Sequence, residues 1–245
     1  SGKTHVEEVL GLVRRPWGGR YPHDSFWAAD GVVDGIRVSL FTGIYNPDSG
    51  PTRATFHASA MFDPRLDLGL DVRGTGLGDR VAAGFGDANG LAPSVPFEDA
   101  FVVEADEPER ARALLVKPAR DAMMWVGKGL VVDDGGANVK LLGKGIDEQH
   151  AFGPWMVSIL RRLAAIVLAI DEARPSASAA RTLEPLAVSL QALAAARGLR
   201  YMTGAPLCAV GTIDGFSVWV GSERKEPHQY GVAIGVGFPK PLRVQ

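Results

Sequence analysis

GVVDGIRV, residues 31–38, runs as a strand into a two-residue turn and back out, and a close counterpart, GTIDGFSV, returns at residues 211–218. Asp-Gly suits a tight hairpin because both turn residues must tolerate positive φ. Around the first octad the apolar positions alternate, with Val33 before the turn and Ile36, Val38 and Leu40 after it. The alternation continues through Phe56, Ala58, Ala60 and Phe62. Leu66, Leu68, Leu70 and Val72 then point one way and Asp67, Gly69, Asp71 and Arg73 the other, which predicts a half-buried strand over 66–73. A mainly antiparallel sheet built from hairpins follows.

The octads share Gly, Asp, Gly and Val, a match that abundant glycine and valine supply by composition alone. The surroundings add weight. Ala29 and Ala209 stand two residues ahead, Pro47 and Pro227 sixteen residues after the first glycine, and the following strands end in Phe62-Asp-Pro-Arg-Leu66 and Phe238-Pro-Lys-Pro-Leu242. Divergent duplication is the favoured reading, two unrelated hairpins the alternative. The second copy lacks counterparts of Asp67 to Ala173. An isolated two- or three-stranded fragment buries too little to fold alone, so the terminal strands are expected to complete the sheet of the first copy, with a cut inside a second domain as the other possibility.

Residues 1–23 read as an arm or short helix broken at Pro16, Gly18 and Gly19, followed by a single α+β domain over 24–245. Repeat halves would cover 24–173 and 204–245, joined by a helix at 179–197. Residues 74–96 are a glycine-rich loop, 97–104 a strand, and Asp106 is placed to cap a helix from Glu107 to about Val116. Met123, Met124 and Trp125 sit on a further helical turn after Pro118, and a hairpin spans 129–142. Met156, Ile159, Leu160, Leu163, Ile166, Val167 and Ile170 make the apolar face of a helix from Pro154 to Ala173. Leu183, Leu186, Leu190 and Leu193 mark another from 179 to 196, stopping before Gly198, and the two are expected as an antiparallel pair against the sheet. Strand character resumes at Leu207 and continues to Val244.

The segment Phe97-Glu-Asp-Ala-Phe-Val-Val-Glu-Ala-Asp106, with Ala111-Arg-Ala-Leu-Leu115, Pro118 and the hairpin at 130–142, resembles an uncharacterised family of often membrane-anchored bacterial proteins. The likeness covers residues 97–142 and is carried by packing positions. It implies a tether outside this chain and assigns no catalytic or binding residue.

With 26 basic and 28 acidic residues the chain lacks the charge surplus that drives nucleic-acid binding. A single cysteine, Cys208, excludes an intramolecular disulfide framework and a four-cysteine zinc site. The apolar run Leu163–Ile170 is flanked by Arg161, Arg162, Asp171 and Glu172 and is far shorter than a bilayer span. No signal peptide opens the chain, and Ser1 in place of Met suggests a cut start. A cytoplasmic setting fits, with membrane association through a segment outside these residues as the alternative.

Local chemical signatures fail one by one. Ser1-Gly-Lys-Thr4 has the end of a phosphate loop without its upstream glycine and strand. Gly74-Thr-Gly-Leu-Gly78 lacks dinucleotide-loop spacing. The histidines at 5, 23, 57, 150 and 228 are scattered. Asp63, Asp67 and Asp71 lie too far apart along a strand to share one ion, and Asp133 and Asp134 read as turn formers. Cys208, at an apolar strand start, reads as an inert buried thiol. No catalytic, cofactor-binding or metal residue is assigned, and no cofactor. The aromatic arm stands out: Trp17, Tyr21, Phe26 and Trp27 beside Arg14, Arg15 and Arg20 are residue types favoured at interfaces. The alternative is that the arm packs on its own sheet. The leading expectation is a non-enzymatic protein-binding or scaffold module that meets a protein partner or itself. A small-molecule or lipid pocket between sheet and helices comes second, and an enzyme with a dispersed site third.

Overall fold

Asp34 and Gly35 both take positive φ, 51° and 82°, and Asp214 and Gly215 repeat this at 50° and 81°. Each Asp-Gly pair closes the tight turn expected of it. The computed structural model describes residues 7–15, 26–45, 53–75, 96–127, 129–143, 149–177, 183–226 and 229–237. The strands are β1 (Val13–Arg15), β2 (Phe26–Val33), β3 (Ile36–Tyr45), β4 (Arg53–Met61), β5 (Asp71–Gly74), β6 (Phe101–Glu104), β7 (Leu130–Asp133), β8 (Gly136–Gly143), β9 (Arg200–Met202), β10 (Cys208–Ile213), β11 (Phe216–Glu226) and β12 (Gln229–Gly237). They form two antiparallel sheets, a main one in the order β1-β2-β3-β4-β8-β7-β5-β6 and a second in the order β12-β11-β10-β9. The helices are α1 (Phe97–Ala100), α2 (Pro108–Leu114), α3 (Lys117–Val126), α4 (Gln149–Ala173) and α5 (Glu184–Arg197). The α+β architecture read from the sequence is the one observed.

The long helices divide their work. Met156, Ile159, Leu160, Leu163 and Ile166 of α4 are fully buried in one cluster with Leu40, Phe56 and Ala58 of the main sheet. Leu190 and Ala194 of α5 belong to a separate cluster with Leu199, Leu207 and Ala209 of the second sheet. The sequence suggests one sheet on a helical pair; here each helix backs its own sheet. The segment Gly153–Ser176 is long and apolar enough to cross a membrane by length and composition, and much of its apolar surface is spent on this core.

The two sheets match in register beyond the octads. Gly31 pairs with Val38 across β2–β3, and Gly211 with Val218 across β10–β11. Strand β1 lies antiparallel to β2, as β9 does to β10. Each first strand follows a left-handed glycine and a leucine, Gly11-Leu12 (φ 63°) and Gly198-Leu199 (φ 64°), after helical residues. Those leucines lie over the octad glycines: a Cβ on Gly31 would stand 2.4 Å from Leu12 Cδ2, and one on Gly211 2.9 Å from Leu199 Cδ2. Absence of a side chain at both glycines makes room for the leucine.

Several local expectations are corrected. Residues 66–70 are not strand, and only Asp71–Gly74 pairs as β5. Leu66, Leu68 and Leu70 are buried in alternation as expected, but Asp67 and Gly69 take φ of 63° and 64°. The amides of Leu68, Gly69 and Leu70 donate to the Asp134 carboxylate rather than to a neighbouring strand. Period-two burial does not distinguish a ladder from a loop threaded on a carboxylate. Residues 97–104 divide into α1 and β6, and α2 starts at Pro108 with no side-chain cap. The side chain of Asp106, expected to cap that helix, bonds Arg224 instead. Helix α4 begins at Gln149, so His150 lies within it and Pro154 inside it. In the expected arm, Val13–Arg15 form an edge strand of the main sheet.

Candidate functional site

A polar seam carries β11 and β12 against the first part of the chain. Asp67, turned outward by its left-handed backbone, accepts hydrogen bonds from the Arg224 amide and from Ser222 Oγ, the latter at 3.1 Å. Arg224 Nε donates to Asp106, and that bond raises the guanidinium's affinity for its proton. Tyr230 Oη donates to Glu107 Oε1 at 3.0 Å, and the same oxygen accepts from Arg110 Nη1 at 3.0 Å. Buried Arg110 reaches on to the Gly204 carbonyl at 3.0 Å, and buried Arg174 to those of Ala205 and Pro64 at 2.7 and 2.6 Å. Burial raises the Asp67 carboxyl above its ordinary value despite the bonds it accepts, and burial followed by the bond to Glu107 raises the Tyr230 hydroxyl. Each charged group here has a partner, the condition under which buried charge is tolerated. Asp67, Asp134, Trp219 and Arg224 line a cleft of about 330 Å³ along the seam.

Beyond the seam the second sheet opens a face. Ala209, Val220 and Tyr230 lie on the side packed by α5. Pairing of Val220 with Ile234, Val218 with Val236 and Ser222 with Val232 puts Val232, Ile234 and Val236 on that same side. They are 61%, 70% and 51% exposed. In the main sheet Val38 pairs with Ala60 and Leu40 with Ala58, so the positions equivalent by register are Phe56, Ala58 and Ala60, each 0% exposed. Phe56 meets the Trp155 ring of α4 at a centroid distance of 4.7 Å. The difference is the cover: α4 packs across the main-sheet face, while α5 reaches only part of the other. The edges differ as well. Edge strand β4 of the first four-strand set is continued by β8, whereas β12 is the last strand of its sheet among the described residues. Terminal strands β1, β6 and β9 carry Arg14 and Arg15, Glu104 and Arg200, the charges that discourage edge pairing; β12, QYGVAIGVG, carries none.

Of the candidate interface residues, Arg14 and Arg15 lie on β1 opposite Ala29 and Ala28, and Phe26 and Trp27 open β2 opposite Gly43 and Thr42. The backbone brings these four to one corner of the main sheet; Trp17, Arg20 and Tyr21 lie outside the described residues, as do Ser1–Thr4 and 76–95. Cys208 is buried and free, its thiol pushed up to about 11 by burial. His57 lies opposite Lys140, and burial together with that charge lowers its pKa. Among the described residues no group of three or more His, Cys, Asp or Glu is arranged to hold a metal ion. The uncovered face of β12 escaped the sequence reading, although its Val-Ala-Ile-Gly-Val alternation is visible, because alternation reports a two-sided strand and not what lies on either side. No family model, curated protein or solved structure matches this chain.

Proposed function

We propose that this chain is a non-enzymatic protein-binding module, the soluble part of a larger or membrane-tethered bacterial protein, and that its recognition surface is the uncovered face of the second sheet. One observation carries the reading: Val232, Ile234 and Val236 face solvent at positions whose register counterparts are sealed beneath a helix. Three adjacent branched apolar side chains on one strand face cost hydration free energy until something covers them. The seam supports this use, since Asp67, Asp106 and Glu107 bond Ser222, Arg224 and Tyr230 at one end of that face and hold β11 and β12 in place while leaving Val232, Ile234 and Val236 unengaged. The corner formed by Arg14, Arg15, Phe26 and Trp27 is a second surface for the same purpose. A cytoplasmic location, with or without an anchor outside these residues, suits a module of this kind.

A photo-crosslinking amino acid at position 234, compared with one at the exposed helix position Asp121, tests the reading in cells. Discrete adducts from position 234 alone are expected. Absence of any adduct there, with the protein folded, overturns it. The second reading, a small-ligand module, draws on the seam cleft lined by Asp67, Trp219 and Arg224; a ligand retained there in native mass spectrometry and lost in Arg224→Met would favour it.

A further inference from the structure

Helix α5 has more apolar surface than its own sheet uses. From Pro185 to Ala196 it carries no charged residue; its charges, Glu184 and Arg197, stand at its ends. Leu190 and Ala194 are buried on the second sheet, while Val188, on the opposite side of the helix, is 70% exposed with Ala192 and Ala195 beside it. A helix packed on one side only is expected to present mainly charged and polar residues on the other; the outer side of α5 has Gln191 and Ser189 as its polar side chains and Glu184 at its start, with Val188, Ala192 and Ala195 between them.

Resting on the reading of the sheet face as a binding surface, we propose that its occupant is the α5 helix of a second copy of this chain. The exchange is reciprocal, the outer side of each α5 lying on Val232, Ile234 and Val236 of its partner.

Three features on the molecule favour this occupant. The first is the main sheet, where the equivalent row Phe56, Ala58 and Ala60 is covered by a helix, α4. The second is position: α5 lies over Ala209 and Val220, toward β9 and β10, and leaves Val232, Ile234 and Val236 of β12 open. A two-fold axis between two sheets set face to face therefore places each copy's helix over the other copy's open half, giving a layer of two helices between two sheets. Such a contact is isologous and closes on itself. The third is charge: Val188, Ala192 and Ala195 on the helix and Val232, Ile234 and Val236 on the strand have none. The charges nearest them, Glu184 at the start of α5 and Arg224 bonded to Asp106, stand at the ends of the two rows, so the rows that meet leave no ion unpaired on burial.

Analytical ultracentrifugation of the intact chain between about 1 and 100 µM, a range that spans ordinary dimer affinities, tests the proposal. The samples are wild type, Val188→Glu, Ile234→Lys and an equimolar mixture of the two variants, with thermal melts and fluorescence of the apolar dye anilinonaphthalene sulfonate alongside. Wild type is expected to dimerise without binding dye. Each variant is expected to melt like wild type and to lose more than about a hundredfold in self-association, the consequence of a charge buried without a partner. The mixture regains dimers, because a heterodimer pairs Glu with Lys at one contact and keeps Val188 against Ile234 at the other. A dimer that survives both substitutions, or a mixture that stays monomeric, overturns the exchange. A wild-type monomer that binds dye, and loses that binding when Val232 and Ile234 become Ser, overturns the second copy as occupant while leaving the face open for another protein. A monomer that binds no dye overturns both readings, since residues of the same chain then cover the face. If a variant fails to fold, Val188→Gln and Ile234→Thr replace the charges, and dimer weakening without change in melting remains the expected result.

Discussion

Phe56 and Val232 hold equivalent places in two four-strand units of like order and register, yet one is sealed and the other is 61% exposed. The strands do not cause the difference, since both rows alternate and both sit beside a helix-backed neighbour. It arises from what the chain inserts between the units. After β4, residues 62–177 supply β5 to β8 and α1 to α4, so the first unit gains both a strand on its β4 edge and a helix on its face. The second unit has α5 alone among the described residues. A strand's fate thus depends less on its own sequence than on which later segment returns to cover it.

Matched truncations give the largest expected effect. Phe56→Ala removes a ring packed on Trp155 and leaves a cavity under α4, costing about 3–5 kcal/mol of unfolding free energy. Val232→Ala, at the equivalent place, is expected to change stability by less than about 0.5 kcal/mol in the monomer, as surface substitutions do. Urea denaturation of both variants at a concentration below any self-association makes the comparison. A loss at Val232 approaching that at Phe56 would mean the second face is covered within the chain.

The octad glycines give an intermediate effect and bear on likeness rather than difference. Gly31→Ala and Gly211→Ala each drive a methyl into a leucine, Leu12 or Leu199, and crowding of this kind costs about 1–3 kcal/mol. Gly31 should suffer more, because its Cβ would also lie 3.3 Å from the Leu12 Cα, whereas the nearest backbone atom at Gly211 is 3.5 Å away. Trimming the leucine to Ala should recover part of each loss, and two double-mutant cycles of the same sign would show that the leucine-over-glycine contact is one device used twice. A cycle that couples in one unit only would reduce the resemblance to strand order.

How much of this is written in the sequence differs from element to element. The Asp-Gly turns, the α4 face and the stop of α5 at Gly198 are local, and local rules find them: turn chemistry, helical period and a left-handed glycine. Gly11-Leu12 and Gly198-Leu199 were equally legible as a repeated dipeptide ahead of a strand, but the spacing between dipeptide and octad differs by seven residues in the two units, which hides the match from a fixed offset. The Asp134 carboxylate under Leu68, Gly69 and Leu70 joins residues more than sixty apart, and the Asp67–Arg224 bond spans 157. No period or motif announces such contacts, so residues that sequence patterns assign to a strand face and a turn are instead the fasteners of the molecule. The exposed row on β12 is a statement about missing cover, which belongs to the whole fold and to no segment of it.

Asp67 offers the smallest and most local test of how the units are joined. It belongs to the loop before β5, and it receives the backbone of Arg224 from the second unit. Two influences oppose each other there: burial disfavours the carboxylate, while the Arg224 amide and Ser222 hydroxyl favour it, and burial is the larger. The folded chain therefore holds the Asp67 proton to higher pH than the unfolded chain, whose carboxyl titrates near 3.8. Its contribution to stability is fully present below that value and is lost as pH rises through the raised folded value. Asp67→Asn keeps an acceptor for the Arg224 amide, tolerates the left-handed backbone and removes the titration. The stability of wild type minus that of the variant, measured by urea denaturation from pH 3 upward, should accordingly fall across that window and then level off. A difference that grows with pH would mean that the amide and hydroxyl outweigh burial, and that the seam is held by an ionised Asp67 throughout.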